Sequence, residues 1–482
     1  MNFILMRHQS EAIDFVLKNL GIAALFHEVG CGKTLSALMT FKKLRDGDPN
    51  LRLLVFCPIS LIYGAWTREI EKFTEFSWRD LHSGVGKQNA DIHLINFESV
   101  LSLNRYNELV NILKEKWLRQ ENWMCVIDES SRLKNHQAKT VQKILELRRY
   151  FKHRIIMSGT PAPNIEWEYW AQMLFLNENI FGIIFHKFKN TFFSLKRGNQ
   201  ILDGQYMNRI MLRKMHEQGF QYEINPTKKN ELFERMRPWC HYAIAKECLD
   251  LPEEIDEFRV VEMTPSQTRI YNQMKNNYIA EFSDSDSCAV ANIVLVKLMK
   301  LRQITAGFVI DDADNALAVD TKNPKLDALL EIVEECGQKQ MIVWCQFHWE
   351  IDQIVRALSE IGIVSQLHGR ILNEKRADQL DDFLSGKSRF LVAHPASAAH
   401  GLTMVNCNLS VFYSLDYSVE KYQQARGRIY RNGQRNNCLY IHLIAKNSID
   451  EDVLDIIQNK ITAIDIARKY MRSKNESQGV RI

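Results

Sequence analysis

Short apolar runs of four to six residues recur along the chain, with amphipathic segments between them. In the first part the runs are Leu53–Cys57, Ile92–Phe97, Met124–Ile127 and Arg154–Met157. Between the first two lies IYGAWTREIEKF, whose apolar residues have helical spacing. In the last part the runs are Met341–Cys345, Phe390–Ala393, Leu409–Tyr413 and Leu439–Ile444, separated by segments such as EIDQIVRALSEIG and EKRADQLDDFLSG. Continuous apolar strands alternating with amphipathic helices predict parallel sheets covered by helices on both faces. The pattern occurs twice and predicts two α/β lobes.

The middle of the chain, from about Asn179 to Asn323, reads differently. It is rich in helix formers and poor in strand signals, so a helical insertion is expected there. Ser283–Ser287 and Asp311–Asn315 read as loops inside it. The expected division is 1–178 for a first lobe, 179–322 for the insertion and a bridge, and 323–482 for a second lobe with a basic tail.

Length and composition change this picture little. The chain has 482 residues, 46% of them hydrophobic and 25% charged, which excludes a long disordered or collagen-like chain. The net charge of +4 hides opposed regions. Gly182–Arg237 carries eleven basic and five acidic residues, Pro238–Met263 two and seven, and the last fifteen residues five and one. The weak total, which hides a basic insertion and a basic tail, argues by itself neither for nor against a nucleic-acid partner. The ten cysteines form no CxxC pair; the nearest two, Cys240 and Cys248, have seven residues between them. Buried free thiols in a reducing compartment are the expectation. The N-terminal MNFILMR lacks a signal peptide's basic start and long apolar stretch, and nothing reaches the roughly 20 apolar residues of a membrane span. The expected location is cytosolic or nuclear, or inside an infected cell, with no membrane partner.

Chemistry concentrates first at Gly30-Cys31-Gly32-Lys33-Thr34, between the apolar GIAALF and the helical LSALMTFKKL. Strand, glycine loop and helix is the context of a phosphate loop. Glycines let backbone N–H groups face phosphates, Lys33 reaches the β- and γ-phosphates, and Thr34 holds Mg²⁺. His27 stands where the full pattern has its first glycine. The second string, Val126-Ile127-Asp128-Glu129, ends an apolar strand with two acids. That placement suits a Mg²⁺-organising Asp128 and a Glu129 that orients or deprotonates water.

Further strings coincide, in order, with the motifs of superfamily 2 helicases, and resemble most the SWI/SNF-type ATPases. Arg7-His8-Gln9 resembles the adenine-sensing element, and Glu28 to Thr34 resembles motif I. Val55-Phe56-Cys57-Pro58 followed by Trp66, Glu69 and Phe73 resembles motif Ia, and Asn96-Phe97-Glu98 motif Ib. Asp128 to Asn135 resembles motif II, and Met157 to Pro161 followed by Asn164 motif III. LPEEIDEFRVVEMTPSQTRIYNQM resembles the bridge into the second lobe. Trp344 to Phe347 resembles motif IV with His368-Gly369 after it, Ala393 to Thr403 motif V, and Gln423 to Gln434 motif VI.

The resemblance implies two RecA-like P-loop lobes and a DNA-stimulated ATPase using ATP and Mg²⁺. Its ATP-binding residues would be Arg7, Gln9, Gly30, Cys31, Gly32, Lys33, Thr34 and Gln424. Thr34 and Asp128 would hold the metal. Lys33, Asp128, Glu129, Arg428 and Arg431 would be catalytic. The two arginines, three apart, are expected to share a helix face and meet the γ-phosphate from the other lobe. DNA contacts are expected at Ser60, Asn96, Gln346, His368 and Ser397, on backbone phosphates and hence with little sequence preference. The chain departs from the family at Ser130-Ser131, where Ala-His is usual, at Pro238 to Tyr242, where paired arginines are missing, and at His394, Pro395 and His400.

The implied function is an ATP-driven translocase on duplex DNA. The alternative is a strand-separating helicase or a fork or branch-migration remodeller, which would want a wedge or an extra recognition domain. A nucleotide-dependent scaffold without turnover would want Lys33, Glu129, Arg428 or Arg431 replaced, and all are present. A nuclease is disfavoured by the lack of a metal-binding cluster outside the ATP site. A motor this lean suits a bacterium or a phage.

Overall fold

The apolar runs become two all-parallel sheets. The computed structural model describes residues 4–119, 121–163, 165–197, 200–202, 215, 221–283, 290–311, 313–398, 402–455 and 457–458. The chain forms two compact units, which part at Asp250 and Leu251.

The first unit holds β1 (Ile22–His27), β2 (Arg52–Phe56), β3 (Trp78–Asp80), β4 (Ile92–Ile95), β5 (Trp123–Asp128) and β6 (Phe151–Met157). A small antiparallel sheet follows, from β7 (Phe193–Arg197), β8 (Gln200–Leu202) and β9 (Gln221–Ile224), in the order β8-β7-β9. The last strand is β10 (Cys240–Ala243), and the seven-stranded sheet runs β10-β1-β6-β5-β2-β4-β3. Successive strand residues face opposite cores. Ala24, Phe26, Leu54, Phe56, Cys125 and Ile127 enter one, while Ala23, Leu25, Leu53, Val55, Met124 and Val126 enter the other. Because helices cover both faces, both sets must be apolar, so the strands read as continuous runs. Each large side chain buried there stabilises the unit by about 1.5–3 kcal/mol.

The second unit holds β11 (Glu254–Val261), the hairpin β12 (Phe308–Ile310) and β13 (Ala316–Ala318), and then β14 (Met341–Trp344), β15 (Val364–Leu367), β16 (Phe390–Ala393), β17 (Leu409–Phe412) and β18 (Cys438–Ala445). Its parallel sheet is ordered β11-β18-β17-β14-β16-β15. The same alternation divides Ile342, Trp344 and Phe412 from Met341, Val343 and Val411.

The middle segment is helical in its largest elements, Pro226–Met236, Pro265–Ser283 and Val290–Thr305. It is not helical throughout, and it is shared between the units: β10 joins the first sheet and β11 the second. These strands escape a search for apolar runs. β11 lies at a sheet edge and mixes charged with apolar residues, EIDEFRVV, and β10 has only four residues. The loop at Asp311–Asn315 is the turn of the β12–β13 hairpin, closed by Ala313 and Asn315 N–H groups donating to Asp311 Oδ1. The loop expected at Ser283–Ser287 and the basic tail lie largely or wholly outside the described residues. Among those described, every cysteine is a free thiol. No described helix is long and apolar enough to cross a membrane.

Candidate functional site

The phosphate loop leaves the C-terminal end of β1 and enters the helix Lys33–Gly47. Gly30 and Gly32 have φ of 92° and 69°, the left-handed region that glycine enters without strain. A Cβ on Gly32 would also collide with the Gln9 side-chain amide. Lys33 Nζ donates to the carbonyls of His27 and Glu28 at 2.9 and 3.3 Å. Thr34 is half-buried in the first turn of the helix.

Two segments brace the loop. From the N-terminal helix Arg7–Lys18, His8 Nε2 donates to the Cys31 carbonyl at 2.8 Å, and Gln9 Oε1 accepts the Met6 N–H at 3.0 Å. Gln9 Nε2 lies 3.5 Å from the Gly32 carbonyl. Arg7 is turned to solvent and pairs with Glu11. From β10 and the turn after it, Ala245 N–H donates to the Glu28 carboxylate and Ala243 accepts the Glu28 N–H, at 2.8 and 2.9 Å. His27 and His241 share a hydrogen bond of 2.9 Å. Burial, with His241 and Lys33 beside it, holds His27 well below the usual histidine range, so the His27 ring is neutral.

Asp128 ends β5, two places from β1 in the sheet, with β6 between them. It is buried, accepting the Trp66 indole N–H at 2.9 Å and the Glu129 backbone N–H at 3.1 Å. Burial raises its pKa; the Lys33 charge and those two donors oppose the rise. Glu129 is one of the few non-glycine residues with positive φ, 60°. Beyond it Ser130 donates to Gln172 Oε1 at 2.7 Å, and Gln172 Nε2 donates to the carbonyls of Pro161 and Glu168 at 2.6 and 2.9 Å. Ser158 Oγ, after β6, accepts the Thr160 N–H. Lys33, Asp128 and Ser158 thus follow or end three adjoining strands, where open parallel sheets hold ligands. Asn164 lies outside the described residues.

In the second unit, Arg428 and Arg431 do not share a helix face as expected. The helix Val419–Arg426 ends before them, and the Arg428 carbonyl is taken by the Met404 N–H. They converge all the same: Nη1 of each donates to the Leu402 carbonyl, at 3.0 and 2.9 Å. Gln424 is buried on the helix, with Nε2 3.5 Å from Glu420.

The candidate DNA residues all follow strand ends, and they differ in access. Ser60 is exposed after β2, and Ser397 is half-buried after β16. Asn96, after β4, is buried and bonded to Glu98 and Ser99. His368, after β15, is buried against Gln366 and the His348 ring. Gln346, after β14, gives its backbone N–H to Glu350 and Ser414. His394 Nδ1 accepts the Ala396 N–H, while His400 lies outside the described residues. In the helix Pro226–Met236, Lys228 pairs with Glu231 and Lys229 with Glu166, so the basic excess there is partly offset.

Sequence reasoning missed His241, Ala245, Gln172 and Leu402 as supports. Only Gln172 left a signal, as the lone amide in the apolar helix YWAQMLFL. Leu402 acts through its backbone, which sequence does not display.

A phosphate loop at a helix N-terminus, a strand-end Asp–Glu pair and a second unit built on a parallel sheet define a helicase-like P-loop protein. The SNF2-related domain matches residues 8–307 and the helicase conserved C-terminal domain residues 324–433. The chain belongs to the SNF2-related family, the SWI/SNF-type ATPases of superfamily 2. It is 26% identical to protein p41 of Acyrthosiphon pisum secondary endosymbiont phage 1, over 92% of this chain and 94% of that one. It is 24% identical to the nuclear protein STH1/NPS1 of Saccharomyces cerevisiae, over 91% of this chain and 32% of that one. It is also 24% identical to a DNA repair and recombination protein, RAD54-like, of Drosophila persimilis, over 94% of this chain and 62% of that one. The chain therefore spans nearly all of the phage relative and under two thirds of these two eukaryotic ones.

Proposed function

We propose that the chain is an ATP-driven translocase that tracks along duplex DNA with little sequence preference. The observation that carries this reading is the gathering of Lys33, Asp128 and Glu129 at the ends of β1 and β5, separated only by β6 in one parallel sheet, where the Lys33 charge opposes the rise of the Asp128 pKa.

The residues present fit a nucleotide and its metal. The two left-handed glycines and the helix N-terminus offer N–H groups and a favourable dipole to phosphates. Lys33, now on two carbonyls, transfers its ammonium to the β- and γ-phosphates. One carboxylate and one hydroxyl, Asp128 and Thr34, would hold Mg²⁺, a hard cation that prefers oxygen ligands. When bound, the ion supplies charge neutralisation to the transferred phosphoryl group. Trp66 orients Asp128, and Glu129 takes the proton of the attacking water. Gln9, Arg7 and Gln424 are assigned to nucleotide binding, Arg7 by giving up its pairing with Glu11. Arg428 and Arg431 leave the Leu402 carbonyl to neutralise transition-state charge, an effect of about 10³–10⁵ in rate in other nucleotide hydrolases. Because those arginines belong to the second unit, hydrolysis requires the units to close, and each cycle becomes a step along DNA. Ser60, Asn96, Gln346, His368 and Ser397 mark the loops facing the backbone phosphates. The near-equal length of the phage relative supports a setting in a bacterium or infected host cell.

The test is ATPase stimulation by duplex, single-stranded and forked DNA, paired with displacement of a triplex-forming strand. Duplex should stimulate most and the third strand should be displaced. Equal or greater stimulation by single strands would favour the strand-separating alternative. Reversal of Lys228 and Lys229 should flatten the salt dependence of DNA binding; an unchanged slope removes the helix Pro226–Met236 from the track.

A further inference from the structure

We infer that Gln172 is a positioning residue for Glu129, acting through the Ser130 hydroxyl. The inference rests on the proposed role of Glu129. Glu129 sits at a φ of 60°, a conformation a residue with a Cβ keeps only when its surroundings impose it. Its own carboxylate, which must stay available to water, is a poor anchor. The next residue provides one. Ser130 is fully buried, and its hydroxyl hydrogen goes to Oε1 of Gln172 at 2.7 Å. Gln172 is fully buried too, and its amide is fixed at the other end: Nε2 donates to Pro161 O at 2.6 Å and Glu168 O at 2.9 Å.

Both amide protons and the carbonyl oxygen of Gln172 are therefore engaged, which leaves the side chain one orientation. Pro161 belongs to the loop that follows β6, the strand between β1 and β5. Gln172 thus ties the segment carrying Glu129 to the loop of the adjoining strand, at a buried point where each bond lost leaves an unsatisfied group. A glutamine inside YWAQMLFL has no packing reason to be polar. A serine directly after the Asp–Glu pair supplies the hydroxyl it needs, and the usual alanine would not.

The test compares wild type, Ser130→Ala, Gln172→Met and the double variant in full-length protein. It measures kcat, ATP affinity and amide exchange at residues 129–132. Each single change should lower kcat about tenfold with ATP affinity within about twofold, and speed exchange at 129–132. The double variant should lose no more than the worse single, since both break one connection. A kcat within twofold of wild type in Ser130→Ala, unchanged exchange, or losses that multiply in the double variant would overturn the inference. Ser130→Ala removes one oxygen and carries the test if Gln172→Met does not fold. Wild type without ATP hydrolysis would refute the proposed function instead, and exchange would still report the tether.

Discussion

The indole N–H of Trp66 donates to Oδ2 of Asp128 at 2.9 Å, with both side chains buried. Trp66 closes a π-helical turn, Ile62–Trp66, and the regular helix Thr67–Phe73 begins directly after it. Such wide turns recur where a side chain must be re-aimed. Trp66→Phe keeps the ring and deletes the donor. The magnesium concentration for half-maximal ATPase should rise about tenfold, within the range of other supporting-residue losses around metals. A magnesium titration checks this, and an unchanged midpoint removes Trp66 from the role.

Glu129→Gln preserves size and one acceptor oxygen but cannot take a proton. ATP binding should persist while turnover falls by about 10²-fold or more. Nucleotide titration beside single-turnover hydrolysis separates the two, and near-normal turnover would sink the assignment.

If Arg431 acts as proposed, its partner is charge that develops only in the transition state, and Arg431→Ala should lose rate far more than ATP affinity. Arg428 shares the Leu402 carbonyl and is more deeply placed, so Arg428→Ala should also lower the melting temperature. Rates and thermal melts of both variants test the difference. A pure binding defect in Arg431→Ala would argue against it.

Stability in acid should depend on His442. The ring lies between Phe258 and Phe412, at centroid distances of 5.0 Å from each, and bonds to the Tyr422 hydroxyl. Burial, aided by Arg426 and opposed by Asp256, lowers its pKa to about 4, against 6.5 for an ordinary histidine. A lowered histidine contributes fully above 6.5, and that contribution is lost as pH falls toward 4. His442→Phe should reduce the acid slope of unfolding free energy by about 1.4 kcal/mol per pH unit in that window. Urea melts at pH 7, 5.5 and 4.5 measure it; parallel slopes would refute it.

The doubly covered strands were the most legible part of the fold, since burial on both faces demands unbroken apolar runs such as Leu53 to Phe56 and Phe390 to Ala393. Edge strands were not, because four charged residues break up the apolar run of β11. In the site, the placement of Lys33, Asp128 and Glu129 beside strand ends was legible, because a glycine loop and an acid pair mark where the two apolar runs stop. The convergence of Arg428 and Arg431 was anticipated on a helix and arises in a turn, through the carbonyl of Leu402. Supports such as Gln172 and His241 come from distant parts of the chain, and nothing in local spacing announces such a pairing.

The bracing of the phosphate loop by β10 bears on how the protein is made. Glu28 waits for Ala243 and Ala245, and His27 for His241, more than 200 residues downstream. At about 5–20 residues per second, the ribosome needs roughly 10–40 seconds to supply them. Through that interval the nascent loop has its glycines and Lys33 but lacks half its scaffold. The braced form of the loop therefore arises only when about half of the chain has been made, as the first unit nears completion.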